Sequence, residues 1–214
     1  TPDRVILGPS LPALYVSLAR AMRPLLRATS SVVLSGLDEP DLVAPFEETG
    51  ARIRRAQPDL GTGTLPASQY NELVDGSTRL VALSAAQRYL GTVAPVAEIV
   101  EHTRSRSRAW VLVDASSYAP YRPLDVSEWD ADIVAHDVAA LGGPQVSALV
   151  FRDTAMFRRL NPVLETPVAP ALAGGVPTLV DVIADQTSPG GTRRTRLQRA
   201  MREMSGYLTA LTGE

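Results

Sequence analysis

Few side chains in this sequence stand where they could do chemistry, and most of them follow short apolar runs. Asp114 ends the run 110–113, where a carboxylate could pair with a cationic group or cap the following loop. His136 follows the run 133–135 and could carry a proton, because histidine titrates near neutral pH. A hydrogen-bonded structural histidine is the alternative. Arg88 could bind an anion or simply lie at the surface.

Missing residue types restrict the chemistry further. The 214 residues contain no cysteine and no lysine, and all 21 basic residues are arginine. The chain therefore has no thiolate for catalysis or metal binding, and arginine cannot form a Schiff base as lysine can. The acidic and histidine side chains show no metal-ligand spacing, and no nucleophile-elbow pattern is present.

The charge balance gives no reason to expect a polyanionic partner. The formal net charge is −2, and no apolar run is long enough to span a membrane. A short cluster of arginines indicates a solvated helix end, the alternative being a nucleic-acid patch; its members are Arg104, Arg106 and Arg108. Because no aromatic residue lies among them, we expect no nucleic-acid partner. Without a spanning apolar run we expect no membrane partner, and a cytoplasmic location is the default expectation.

The elements that must position these residues follow from the hydrophobic pattern. Continuous apolar runs predict strands covered on both faces, at 5–7, 32–34, 80–83, 110–113, 133–135 and 148–151. Amphipathic stretches between them predict helices at 12–22, 41–50, 68–74 and 93–103. This alternation predicts a three-layer α/β/α fold with a mainly parallel sheet. Ligands of such sheets bind where strands end, so the candidate loops follow Leu7, Leu83, Asp114 and Ala135.

The last third of the sequence has a different pattern. Two more helices are predicted within 171–211, separated by a Ser-Pro-Gly-Gly breaker at 188–191. The second carries an apolar stripe with spacings of four and three, formed by Leu197, Met201, Met204, Leu208 and Leu211. This stripe could pack on the chain's own sheet or a neighbouring domain, or it could form a dimer seam. We expect a single domain over 1–214, with the sheet core at about 2–152.

The ordered segments of the chain resemble class V aminotransferases and cysteine desulfurases. The similar pieces are SGLDEPDLVAPF at 35–46, LGTVAPV at 90–96, VLVD at 111–114, APYRPLDV at 119–126 and ADIVA at 131–135. The resemblance implies the large domain of a pyridoxal-phosphate (PLP)-dependent transferase, without the small C-terminal domain. It also implies a dimer whose sites lie at the subunit interface.

The same resemblance places the family's Schiff-base lysine at Ala140. We therefore expect no covalently bound cofactor. The family carboxylate that pairs with the PLP pyridine nitrogen falls at Asp114, and the residue that touches the ring hydroxyl falls at Ser117. Arg88 replaces an asparagine near the site, and the ring-stacking histidine falls at Glu39.

The loop that holds the phosphate in the family is also altered. It contains Pro9 and Pro12, which have no backbone N–H to donate, whereas Ser10 keeps a hydroxyl. Ser10, Arg88, Asp114 and Ser117 are thus the residues that could still hold PLP non-covalently.

The sequence predicts a catalytically degenerate relative of these enzymes. It would act as a binding or assembly subunit, as a homodimer or as a heterodimer with a related PLP-fold protein. The alternative is an aminotransferase-like or cysteine desulfurase-like enzyme acting on an amino acid, with non-covalent PLP or with activity in the whole protein. In that case His136 is the remaining candidate for proton transfer. No metal is expected.

Overall fold

One mixed sheet organises the chain. The computed structural model describes residues 4–122, 124, 126–141 and 145–164. Within them the strands are β1 (Val5–Gly8), β2 (Ser31–Ser35), β3 (Arg52–Ala56), β4 (Thr78–Ser84), β5 (Trp110–Asp114), β6 (Ile133–Asp137) and β7 (Ser147–Phe151). Their order across the sheet is β1-β7-β6-β5-β4-β2-β3. Neighbours are parallel except where β7 meets β1 and β6, so β7 runs against the other strands.

Helices cover both faces of this sheet. They are α1 (Leu11–Ala21), α2 (Pro40–Glu47), α3 (Tyr70–Leu73), α4 (Val96–Arg106) and α5 (Val126–Trp129). One buried cluster joins residues of α1 and α2 to the sheet, and a second joins residues of α3 and α4 to its other face. The three-layer α/β/α prediction, with a mainly parallel sheet, is therefore confirmed.

Strand β5 shows why the apolar runs are continuous. All five of its residues are buried. Leu112 belongs to the cluster under α1, whereas Val111 and Val113 belong to the cluster under α4. Because successive strand side chains point to opposite faces, a strand covered on both sides needs apolar residues at every position. The first polar residue, Asp114, marks the carboxyl end of β5.

The start of α1 is fixed by local contacts. The Ser10 Oγ accepts a hydrogen bond from the Ala13 amide at 3.3 Å and so caps the helix. A methyl group at Gly8 would lie only 2.7 Å from side-chain carbons of Leu14. The glycine therefore lets the first turn of α1 pack directly on the end of β1.

Six strands and four helices match the predicted ones within a few residues. β3 and α5 were not predicted. β3 lies at the sheet edge, pairs with β2 and reads Arg-Ile-Arg-Arg-Ala, so the apolar criterion does not detect it. The predicted helices within 171–211, including the apolar stripe, lie outside the described residues. Among those described, no helix has the length and hydropathy needed to cross a bilayer.

Candidate functional site

Two adjoining cavities lie at the edge of the sheet where the parallel strands end. The first, here called the acidic cavity, has a volume of about 240 Å³. Every cofactor-site residue predicted from the resemblance lines it: Ser10, Arg88, Asp114, Ser117 and Ala140. The second cavity, of about 530 Å³, shares Arg88, Ser116, Ser117 and Ala140 with the first. The structure thus brings together residues that lie far apart in the sequence.

The two cavities differ in the charges that line them. The acidic cavity has one guanidinium, Arg88, and four carboxylates: Glu39, Asp41, Asp114 and Asp137. The second cavity is lined by two guanidiniums, of Arg88 and Arg122, and by none of the described carboxylates. The excess of carboxylates makes the first cavity a poor place for an anion.

Asp114 is the most buried of the four carboxylates, with 7% of its surface exposed. Its Oδ1 accepts a hydrogen bond from the Ser116 amide at 2.8 Å. The side chain therefore does both things that the sequence allows: it caps the loop after β5, and it lines the cavity.

Tyr15 was not identified from the sequence, although it lines the acidic cavity. It lies on α1, 1% exposed, and its hydroxyl approaches the Asp114 carboxylate at the end of β5. Burial raises the pKa of Tyr15 well above its ordinary value, and the Asp114 carboxylate adds to this through its charge and through a hydrogen bond with the phenol, as does the charge of Asp38. The phenol is therefore protonated and neutral. Its only sequence signal is its position beside Leu14 on the buried face of α1.

Asp38 holds the loop that carries two of the cavity's carboxylates. Its Oδ2 accepts a hydrogen bond from the Ser35 amide, and its Oδ1 accepts one from the Ser84 amide, each at 2.8 Å. Burial raises the pKa of Asp38 to about 7, although these hydrogen bonds oppose the shift. By tying the end of β2 to the end of β4, Asp38 fixes the direction in which residues 39–41 leave the sheet.

Three further carboxylates approach the acidic cavity from helix and strand ends. Glu39 lies at the start of α2, and its Oε1 is buried without a hydrogen-bond partner among the described residues. Asp41 is exposed in the first turn of α2. Asp137 ends β6, and its Oδ1 accepts a hydrogen bond from the Ala139 amide at 3.1 Å.

His136 lies away from this site. It is inside β6, 1% exposed, and lines neither of the two cavities. Burial lowers its pKa to about 4, so the imidazole is neutral near pH 7. Its neighbour Asp137 reaches the acidic cavity instead, because adjacent strand residues point to opposite faces. Among the described residues, no group of three potential metal ligands comes together.

Arg104, predicted to belong to a solvated helix end, takes part in an ion-pair network at the opposite edge of the sheet. Asp132, 2% exposed, accepts hydrogen bonds from Arg104 Nη2 and from the Val111 amide, both at 2.8 Å. Its second oxygen lies 2.6 Å from Arg152 Nη2. Arg104 therefore supports the fold and is not a free surface cation.

Comparison with known protein families identifies the family of this chain. The sequence pattern of the family described as Aminotransferase class-V matches residues 18–165, which is more than half of the chain. The chain belongs to the class-V aminotransferase family.

Relatives of this class-V protein include an uncharacterized bacterial protein and a cysteine desulfurase. An uncharacterized protein of Mycobacterium tuberculosis is 35% identical over 97% of this chain and 56% of its own length. A cysteine desulfurase of Yersinia pestis is 26% identical over 65% of this chain and 35% of its own length. The chain therefore spans 56% of the length of the Mycobacterium tuberculosis protein and 35% of the length of the cysteine desulfurase.

Solved structures share the fold of this class-V protein. Cysteine desulfurase CsdA from Escherichia coli superposes with a TM-score of 0.70 at 17% identity, over 97% of this chain and 52% of its own. The prediction of a PLP-transferase-like large domain is therefore confirmed.

The class-V family is PLP-dependent, so the residues here can be tested against that cofactor. Ala140 lines the acidic cavity where the resemblance expects the lysine, and no side chain of the 214 residues carries the primary amine that a Schiff base needs. At the phosphate end, the Ser10 hydroxyl oxygen already caps α1, and Pro12 has no amide to donate. Glu39 adds a negative charge to the same cavity. These residues do not fit a covalently held, phosphate-anchored cofactor, although Asp114 keeps the family's carboxylate.

Proposed function

We propose that this class-V protein is a binding subunit that carries out no chemistry through a lysine-bound cofactor. The observation behind the proposal is the combination of Ala140 in the acidic cavity with a chain that has no lysine. Internal Schiff-base chemistry needs a primary amine beside the cofactor, and neither arginine nor histidine supplies one.

The cavity itself supports binding as the retained function. Asp114 and Tyr15 are almost completely buried beside it, and Asp38 anchors the loop that forms one wall. Buried polar groups are costly unless they have partners. Tyr15 and Asp114 are partners of each other, and both line a cavity in which a ligand can contact them.

We also propose that the protein assembles with a second copy of itself or with a related PLP-fold protein. Exposed apolar side chains occur in the segments that line the second cavity: Tyr89 and Leu90 lie in sequence between the lining residues Arg88 and Gly91, and Tyr121 lines the cavity directly. Exposed aromatic and apolar residues next to a cavity are typical of protein interfaces. A cytoplasmic location is part of the same proposal, and immunolocalisation would check it.

Retention of PLP tests the proposal directly. The purified chain is mixed with PLP, freed of excess, and its visible spectrum and bound phosphate are measured before and after borohydride reduction. The N-terminal amine, the only primary amine of these 214 residues, is blocked in a parallel sample. We expect no reducible adduct in the blocked sample. A reducible adduct there, or turnover of amino acids with added PLP, would show that the proposal is wrong.

Asp114 favours one second candidate, an enzyme that holds PLP without a covalent bond. A carboxylate at the end of β5 could pair with the pyridine nitrogen. This candidate predicts PLP retention at micromolar concentration without a reducible imine, and loss of that retention in Asp114→Ala.

A further inference from the structure

The second cavity carries the opposite charge from its neighbour. Its wall holds the guanidiniums of Arg88 and Arg122 and none of the described carboxylates. A cleft lined by charges of one sign concentrates small ions of the other sign. The volume of about 530 Å³ lies within the range of about 300–1,000 Å³ that is typical of small-molecule sites, whereas that of the acidic cavity lies below it.

We infer that the second cavity binds a small organic acid, with its carboxylate on Arg88 and Arg122 and its apolar body on the rest of the wall. The inference rests on the proposed binding function and deepens it by naming a class of ligand and the cavity that takes it. Two exposed arginines alone would not carry it, because unpaired arginines also occur on ordinary surfaces. Arg106, on α4, is an example.

Hydrogen-bond donors that lack acceptors are the independent observation that points to a ligand. Besides the two arginines, the half-buried side chains of Gln87 and Ser117 line the cavity. None of these four side chains takes part in a hydrogen bond or an ion pair within the described residues. All four can donate, and the two oxygens of a carboxylate together accept about four hydrogen bonds. The ligand would thus supply the acceptors that the described part of the chain does not.

The backbone around Arg88 holds that residue at the cavity. Residues 86–93 form a loop whose ends are joined by a β-bridge. Inside it the Gln87 amide donates to the Thr92 carbonyl at 2.8 Å, and the Gly91 amide donates to the Gln87 carbonyl at 2.9 Å. Gly91 has a φ of 69°, which glycine adopts without strain. The loop that carries Arg88 is therefore closed by its own hydrogen bonds before any ligand arrives.

Arg122 is placed by a second ordered segment, which follows β5. The amides of Tyr121 and Arg122 both donate to the Tyr118 carbonyl, at 3.1 and 3.0 Å, and so form a turn. The Tyr118 ring packs edge-on against Trp129, with ring centroids 5.1 Å apart. The two arginines thus belong to two separately anchored segments that line one cavity, so a ligand needs to order only their side chains.

The rest of the wall suits the body of an organic acid. Val93, Tyr118, Pro120 and Tyr121 give it apolar and aromatic surface. Ligand pockets combine mainly apolar walls with a few polar groups that fix the orientation of the ligand. A guanidinium presents a planar fork of donors that fits a carboxylate. Inorganic phosphate would engage the arginines but leave the apolar wall in contact with water, and an ammonium would meet two like charges.

The test compares ligands of similar shape that differ in charge. Binding of phenylacetate, phenylacetamide, phenethylammonium and inorganic phosphate to the full chain is measured by titration calorimetry at pH 7.5 and low salt. We expect phenylacetate to bind at least about tenfold more tightly than the neutral amide, a difference of about 1.4 kcal/mol. Phosphate should bind more weakly than phenylacetate, and phenethylammonium should not bind. Added salt should weaken the binding of phenylacetate.

Variants then locate the site. Arg88→Gln and Arg122→Gln should each weaken phenylacetate binding several-fold and leave phenylacetamide binding unchanged. Arg106→Gln removes the same charge from an exposed residue that lines neither cavity, and it should leave both affinities unchanged. Arg122→Lys keeps the charge and loses the planar fork, so it should retain part of the affinity. All three arginines are exposed, and circular dichroism checks that each variant folds.

Each outcome decides for or against the inference. Absence of phenylacetate binding, a smaller preference over the amide, or Arg88→Gln and Arg122→Gln proteins that bind phenylacetate as the Arg106→Gln protein does would overturn it. Those results would leave the proposed function intact, because that depends on the borohydride experiment. A reducible PLP adduct in the sample with a blocked N-terminus would instead overturn the proposed function, whatever the calorimetry shows.

Discussion

The carboxylate of Asp38 accepts a hydrogen bond from the backbone amide of Ser84, at 2.8 Å and across 46 positions of sequence. Together with its bond to the Ser35 amide, this contact joins two strands at the edge where the cavities open. Burial raises the pKa of Asp38 to about 7, so this carboxyl titrates within the range in which the protein would be handled.

Asp38 should make part of the protein's stability depend on pH. Its pKa in the folded state, about 7, lies above the ordinary 3.8, so the folded state binds its proton more tightly than the unfolded state. The resulting stabilisation is complete below about pH 4 and is lost as the pH rises to 7. In Asp38→Asn this dependence should disappear. Urea unfolding at four pH values between 4 and 7.5 checks this, and parallel curves for the two proteins would contradict it.

His136 should act in the opposite direction. Burial lowers its pKa from 6.5 to about 4, so the unfolded state takes up the proton first as the pH falls. The free energy of unfolding should therefore decrease between pH 6.5 and pH 4. We expect the decrease to be smaller in His136→Leu, measured in the same urea series. If the free energy of unfolding of His136→Leu decreased between pH 6.5 and pH 4 as much as that of the unsubstituted protein, burial would not lower the pKa of His136 in the folded state.

Gly8 should tolerate no side chain, although its backbone has an ordinary conformation. A methyl group there would lie 2.7 Å from carbons of the buried Leu14. We expect Gly8→Ala to destabilise the protein by about 1–3 kcal/mol, as overpacking does. Gly76→Ala is the matched control, because a methyl group there meets no atom within 4 Å. Its effect should stay within about 0.5 kcal/mol, and equal effects of the two substitutions in thermal unfolding would contradict the packing argument.

Asp132 and Asp130 offer a comparison between a buried and an exposed ion pair. Asp132 is 2% exposed and has Arg104, Arg152 and the Val111 amide as partners, whereas the Asp130 side chain is 58% exposed. Asp132→Asn should cost about 3 kcal/mol, because it removes the charge that two arginines share. Asp130→Asn should cost at most about 1 kcal/mol. Asparagine suits the positive φ of 49° at position 130, so the control adds no backbone strain.

The sequence predicts the central strands well because each is covered on both faces and must be apolar throughout. It does not predict β3, which lies at the edge and carries arginines on a partly solvated surface. It also places the end of β6 too early. The strand continues to Asp137, and that extension encloses His136 within the sheet and sends the next side chain to the cavity.

The sequence predicts the site residues that lie at strand ends. It does not predict those that depend on how a helix packs against the sheet. Ser10 and Ser117 follow strands, Asp114 ends one, and the sequence identified all three as candidates that the structure places at the cavity. The helical period of α1 indicates a buried face, but it cannot show that the hydroxyl of Tyr15 approaches a carboxylate at the end of β5. The role of Asp38 likewise depends on β2 and β4 being neighbours, which is a property of the sheet order.

The arginines of β3 have a consequence for the protein at high concentration. This strand ends one side of the sheet, and an open strand edge can recruit a strand from another molecule into a growing aggregate. Arg54 and Arg55 are engaged by Asp75 and Glu47, and Arg52 is exposed, so an incoming strand would have to approach a row of fixed and solvated charges. The charges along β3 therefore oppose the addition of a strand from another molecule at this edge of the sheet.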